Sequence, residues 1–177
     1  FTHTGISGPA IFALSSLIAF EEYGVKKPLA INIDLTPDLS SETLLAQIKQ
    51  AMNESPKKSF KNTIRNFVPL SVAEVIFAEA NIPTEKKNAE TSKQQISAIM
   101  KLLKQLPLTV VGRGTGDEFV TAGGVNTVEV DPRTMGSKLT PGLYFAGEIL
   151  NIDGFTGGFN LESAWATGRA AGESAAI

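Results

Sequence analysis

The residues best suited to chemistry lie late in the chain. Leu143-Tyr144-Phe145-Ala146 is an apolar run that ends on Gly147 and then on a carboxylate, Glu148. Gly154-Phe155-Thr156-Gly157-Gly158-Phe159-Asn160 follows, and a helical pattern runs from about Leu161 to Glu173. In order, this reads as a short buried strand, an acidic hydrogen-bond acceptor, a glycine loop and a helix start. Glycine lets backbone approach a ligand closely, and a helix N-terminus offers unpaired N–H groups with a partial positive charge. Such a site can grip an electron-rich ring edge and a polyhydroxyl chain together. Upstream, His3 is the single histidine and the one side chain able to shuttle a proton near neutral pH. It is a candidate acid–base residue, with capping or packing ahead of a helix as the plainer reading.

Tyr144-Phe145-Ala146-Gly147-Glu148 is similar to the last-strand motif of flavoproteins with two dinucleotide-binding domains. Thr121-Ala122-Gly123-Gly124-Val125, Gly157-Gly158-Phe159-Asn160 and Phe1-Thr2-His3-Thr4-Gly5-Ile6-Ser7-Gly8-Pro9 narrow the match. Together they resemble the bacterial family of aminoacetone oxidases, bile-acid dehydro-reductases and predicted NAD(P)/FAD-dependent oxidoreductases. The resemblance implies FAD as cofactor, with Glu148 accepting from a ribityl hydroxyl where the broader motif carries Asp. It also implies that Gly157 and Gly158 bring backbone to the pyrimidine edge of the flavin, with Asn160 capping the helix behind them. Gly147 and Phe159 would belong to the same cofactor site, and Thr121, Gly123 and Gly124 would bring backbone beside the flavin. For Gly123 and Gly124 a simple turn is the competing reading.

The family opens with a strand, a G-x-G-x-x-G turn and a helix for the ADP half of FAD, and this sequence has no such motif. Gly112-Arg113-Gly114-Thr115-Gly116 comes nearest, but it leads into Asp117-Glu118-Phe119 and a strand-like run, so it reads as a turn. The resemblance therefore implies a C-terminal portion of an FAD-dependent oxidoreductase, expected to be inactive and free of FAD by itself. A small-molecule substrate is expected, with NAD(P)H as an optional further partner. The competing hypothesis is a non-catalytic interaction module built on the helical block described next.

Composition bounds these readings. The 177 residues are 42% hydrophobic and 19% charged, which is globular. The net charge of −2 gives no global attraction to nucleic acid or anionic membranes, so neither is expected as a partner. With no cysteine and one histidine there is no disulfide, thiolate or multi-histidine metal site, and a cytoplasmic location fits. The longest apolar run, Ala10 to Phe20, is too short to span a bilayer.

The elements that must position the site follow from periodicity. Ser7-Gly8-Pro9 signals a helix to about Phe20, apolar nearly all round and so expected to be buried on more than one side. Leu29 to Leu35 alternates as a strand. From Pro37 to Leu106 the pattern is helical, with starts after Ser40 or Ser41, near Lys57, at Ser71 and at Ser92. The second of these, Lys57 to Phe67, would carry a basic stripe of Lys57, Lys61 and Arg65, read as a solvated face. Strands are expected at 108–111, 118–122, 127–130 and 143–146. Trp165 is expected in the core. The fold class is thus α+β: a strand-rich domain of residues 1–36 and 107–177, with an inserted helical subdomain of residues 37–106.

Overall fold

The computed structural model describes residues 1–114 and 120–176. Along the chain run α1 (Pro9–Leu17), β1 (Leu29–Ile33), α2 (Ser41–Glu54), α3 (Phe60–Ile64), α4 (Leu70–Glu79), α5 (Lys93–Lys104), β2 (Leu106–Val110) and α6 (Phe159–Ala175). The fold is α+β, with one two-stranded sheet among the described residues. Contacts divide the chain into two compact units: residues 23–111, and the described residues of 1–22 and 112–177.

The first of these, the helical unit, is built as its sequence dictates. The Ser40 hydroxyl accepts from Thr43 N–H at 3.2 Å and starts α2, whose Leu44, Ile48 and Met52 are buried at four-residue spacing. Ser92 and Gln95 close a reciprocal capping box on α5, which buries Ile96, Ile99 and Leu103. These faces meet around Phe60 and Phe77, whose rings sit edge to face at 5.5 Å. β1 pairs antiparallel with β2, Ile31 opposite Leu108, so chain before and after the helices joins in one sheet. Lys104 fixes the turn after β1: its ammonium donates to the carbonyls of Thr36 and Leu39 and pairs with Asp34 at 2.5 Å. That hydrogen bond holds the Asp34 carboxyl below its ordinary pKa.

Several local expectations change. The helix expected from Lys57 to Phe67 is only α3, with Ser59 as N-cap. Lys57 and Lys58 therefore lie in the preceding turn, after Pro56, and the basic residues form no helical stripe. Ser71 does not cap α4, which begins at Leu70 behind Pro69 without a side-chain cap.

The other unit is thinly cored. Val130, Met135, Leu150 and Ala171 are its buried cluster, with Val125, Tyr144, Phe145, Ala146 and Ala170 packed against them. No residue of α1 is buried, contrary to expectation, because this small cluster does not reach it. The segments expected as strands at 127–130 and 143–146 are not strands. Thr127–Glu129 is a 3-10 turn, and the extended chain makes only isolated bridges, Val130 to Ser137 and Gly136 to Tyr144. The turn from Asp131 to Met135, whose φ is 59°, stops a ladder from growing. Of the strand expected at 118–122, Glu118 and Phe119 lie outside the described residues, as do Thr115, Gly116 and Asp117 from the turn before it. Val120 to Ala122 are described and form no strand.

Candidate functional site

The site is assembled where α6 meets the chain before it. Gly147–Ile149 is a 3-10 turn that packs on α6. Gly147 N–H donates to the Thr167 hydroxyl at 3.0 Å, and the Tyr144 hydroxyl donates to the Ser174 carbonyl at 3.3 Å. The small and hydroxyl-bearing side of α6 thus faces the turn, because it permits close approach and supplies hydrogen bonds. The bulkier stripe of Leu161 and Trp165, with Gly168 and Gly172, is exposed instead. Trp165 is 80% exposed and is not a core residue.

Asn160 does not cap α6. Gly158 does, at φ 93°, and α6 starts without a side-chain cap hydrogen bond. Asn160 instead clamps the loop: its Oδ1 accepts from Gly154 N–H at 2.7 Å and its Nδ2 donates to the Gly154 carbonyl at 2.9 Å. An added Cβ at Gly154 would stand 3.0 Å from that Oδ1 and 3.1 Å from the Phe159 Cβ, so glycine leaves room for the clamp.

Two concavities share Asn160 and Val120. The smaller is lined by Gly147, Glu148, Ile152 and Ser163, with the Glu148 side chain exposed. The larger, about 310 Å³, is lined by Phe12, Ser15 and Ser16 of α1 and by Arg113, Thr121, Asp153 and Thr156, among others. The structure thus brings Gly147, Glu148 and Asn160 together and puts Thr121 on the adjoining wall. Gly157, Gly158 and Phe159 form the turn into α6. His3 is exposed and lines neither concavity.

Gly123 and Gly124 separate. Gly123, at φ 106°, has open space where a side chain would be, whereas a Cβ on Gly124, at φ 133°, would lie 2.3 Å from the Ile149 carbonyl oxygen. Gly124 is therefore glycine so that Val125 N–H can reach that oxygen at 2.7 Å, while Asn151 N–H donates to the Val125 carbonyl at 2.9 Å. Sequence reasoning missed Asp153, Arg113 and the α1 hydroxyls. Asp153 could have been found from its place between Glu148 and the glycine loop; nothing local pointed to α1.

Among the described residues no group of three or more His, Cys, Asp and Glu is placed to hold a metal ion. No described helix is long and apolar enough to cross a membrane.

A family profile described as "HI0933-like protein barrel and H2TH domain" matches residues 1–119. A ribosomal RNA dihydrouridine synthase of Escherichia coli (strain K12) is 34% identical over 170 residues, which is 94% of this chain and 39% of that protein. The protein of the same name from Haemophilus influenzae is 33% identical over 168 residues, again 94% and 39%. A 3-dehydro-bile acid delta(4,6)-reductase of Clostridium scindens is 31% identical over 176 residues, 99% of this chain and 43% of that protein. The chain spans about two fifths of the length of the curated relatives it matches.

Proposed function

The chain belongs to the HI0933-like family, and from that premise we propose that it is the flavin-edge and substrate-side portion of an FAD-dependent oxidoreductase. The observation that carries this reading is the convergence of the Glu148 carboxylate with the uncapped first turn of α6 around one concavity. An acceptor for hydroxyl groups and a set of donors for an electron-rich ring edge are what a ribityl chain and a pyrimidine ring require. Open space beside Gly147, Gly158 and Gly123 fits close approach by a planar group. The residue types fit the flavin end of FAD, although the concavity they line encloses only about 10 Å³.

Bound there, FAD would supply hydride transfer to a carbon–carbon double bond conjugated with a carbonyl, the chemistry common to the relatives' names. In this reading Glu148 orients the ribityl chain, Gly157 and Gly158 present backbone to the ring, and Asn160 holds the Gly154 loop in register. The adjoining cleft admits the substrate, with Phe12 as an apolar wall and Thr121, Asp153 and Thr156 as polar contacts.

A substrate within RNA is favoured over the free small molecule that the resemblance implies, and against the absence of a nucleic-acid partner expected from overall charge. Residues 23–111 carry twelve Lys and Arg against eight Asp and Glu, and the remainder carry four against ten. The chain's −2 is therefore a +4 helical unit and a −6 remainder, and the first suits a polyanion. The helical unit then serves the catalytic unit as a recruiting module, which joins the two hypotheses framed at the outset.

Titrating FAD into the full-length apo-protein tests the cofactor site. A hydrogen bond to a charged acceptor is worth about 1.5–3 kcal/mol, so Glu148→Ala should weaken FAD roughly ten- to hundredfold. Glu148→Gln should lose less, because its amide oxygen still accepts. Equal FAD affinity in wild type and Glu148→Ala would remove the assignment.

A further inference from the structure

We propose that four lysines on the helical unit, Lys57, Lys58, Lys86 and Lys87, form a preorganised grip for the phosphate backbone of RNA. This rests on the RNA reading of the substrate given above. The residues lie on two chain segments, before α3 and before the 3-10 turn at Asn88–Glu90, that are joined side by side. Ser59 and Lys87 form an antiparallel bridge. Phe60 N–H donates to the Lys86 carbonyl at 2.8 Å, Asn88 N–H to the Lys58 carbonyl at 3.0 Å and Ala89 N–H to the Pro56 carbonyl at 3.0 Å. The Ser59 hydroxyl adds a bond of 2.6 Å to the Thr84 carbonyl.

Beneath these segments is a buried polar knot. Thr63 and Asn88 are 1% and 3% exposed and hydrogen-bond each other, and Asn88 Nδ2 also donates to the Ser55 carbonyl at 2.8 Å. Buried polar groups are retained only when satisfied, and a satisfied set fixes its surroundings rigidly. Here it pins both lysine-bearing segments to the core.

Three of the four lysines are exposed and Lys86 is half-buried. None of the four ammonium groups has an ion-pair partner among the described residues, in contrast to Lys61, held by Glu74 at 3.3 Å, and Lys104, held by Asp34. The acidic neighbours are engaged locally: Glu90 accepts from Lys87 N–H at 3.4 Å, and Glu85 bonds the Thr84 hydroxyl at 3.0 Å. Four lysines without ion-pair partners on one rigid platform offer a polyanion concentrated positive charge. Lysine contributes point charges that position a backbone without reading bases, so the grip sets affinity and leaves selection of the reacting base to the other unit.

The test uses the full-length protein and a fluorescein-labelled 20-nucleotide oligouridylate, with binding followed by anisotropy between about 50 and 200 mM salt. Replacing all four lysines by Gln should shrink the slope of log K against log salt by about 3, and lower affinity in 0.1 M salt by about two orders of magnitude. Replacing all four by Arg should retain both. Lys49→Gln with Lys101→Gln, on α2 and α5, should change the slope by less than half as much. The pairs 57/58 and 86/87 are also changed separately, so that a folding failure of the fourfold variant does not decide the matter. RNA binding that persists unchanged in the Gln variants overturns the lysine grip but leaves the RNA substrate standing. No binding of RNA by the wild type overturns the RNA reading itself. Loss of binding to phosphatidylserine vesicles, without loss of RNA binding, would assign the surface to membranes and refute the proposal.

Discussion

Gly124→Ala is the sharpest perturbation this structure offers. The new Cβ would stand 2.3 Å from the Ile149 carbonyl oxygen and 3.0 Å from the Ile149 and Leu150 carbonyl carbons, all backbone. No rotamer change can relieve that clash, so the Ile149–Leu150 chain must move. The movement breaks the bonds from Val125 N–H to Ile149 O and from Asn151 N–H to Val125 O, together worth about 1–3 kcal/mol net. Forcing an L-residue toward φ 133° adds about 1–3 kcal/mol. The total is about 2–6 kcal/mol against a domain stability of about 5–15 kcal/mol. Gly123→Ala is the control: its φ of 106° carries the conformational strain, but its Cβ meets nothing within 4 Å. Thermal melts of the full-length protein should rank wild type above Gly123→Ala above Gly124→Ala. Hydrogen exchange should show the Val125 and Asn151 amides losing protection in Gly124→Ala alone. If Gly124→Ala is as stable as Gly123→Ala with both amides protected, the close-approach argument fails.

Asn88→Ala strips the partner from the buried Thr63 hydroxyl and from the Ser55 carbonyl, and should cost about 2–5 kcal/mol by urea unfolding. Asn88→Ala combined with Thr63→Val should recover part of that loss, since the orphaned hydroxyl goes with it. The Asp34–Lys104 pair sets a pH dependence. Because the folded carboxyl is held below its ordinary value of 3.8, its stabilisation is present above about pH 4 and is lost as pH falls through the folded pKa. Asp34→Asn should flatten that acid limb in a melt-versus-pH series while leaving the neutral plateau lower by about 1 kcal/mol or less. Phe77→Ala, at the edge-to-face contact with Phe60, should cost about 3–5 kcal/mol.

Part of what local rules decide was legible in the sequence. The capping box of α5 needs only its own side chains and formed, and α2 buries Ile48 and Met52 as its spacing predicts, with Leu44 rather than Leu45 beside them, whereas Ser71 caps nothing. Gly147, Glu148 and Asn160 line one concavity, because a few residues of chain and the start of α6 carry them there, while Gly157 and Gly158 form the turn before that helix. What was not legible depended on partners distant in sequence. Thr127 to Val130 has strand-like residues, but a strand needs a continuous ladder, and the Asp131-to-Met135 turn interrupts it. On α6 an apolar face of Leu161, Ala164, Trp165, Gly168, Ala171 and Gly172 is expected from spacing. Ala171 is buried, but Leu161 and Trp165 are exposed, because close approach and hydrogen bonding favour the small residues and Thr167. Asn160 stands at the helix start, where its residue type favours a cap, but its amide bonds Gly154, six residues back. The role of α1 in lining a cleft with Asp153 links residues more than a hundred positions apart.

The exposed stripe on α6 makes a spectroscopic reporter. Trp165 is the chain's single tryptophan and stands on the outer face of α6. Its emission in this chain should already be that of an indole in water, red-shifted and open to quenching by acrylamide. Unfolding will then change it little, and a melt followed by tryptophan fluorescence will understate the transition that circular dichroism records. Whatever comes to cover Leu161 and Trp165 will instead shift the emission blue and slow the quenching. The same residue that says almost nothing about folding is thus a direct optical gauge of what docks on this helix.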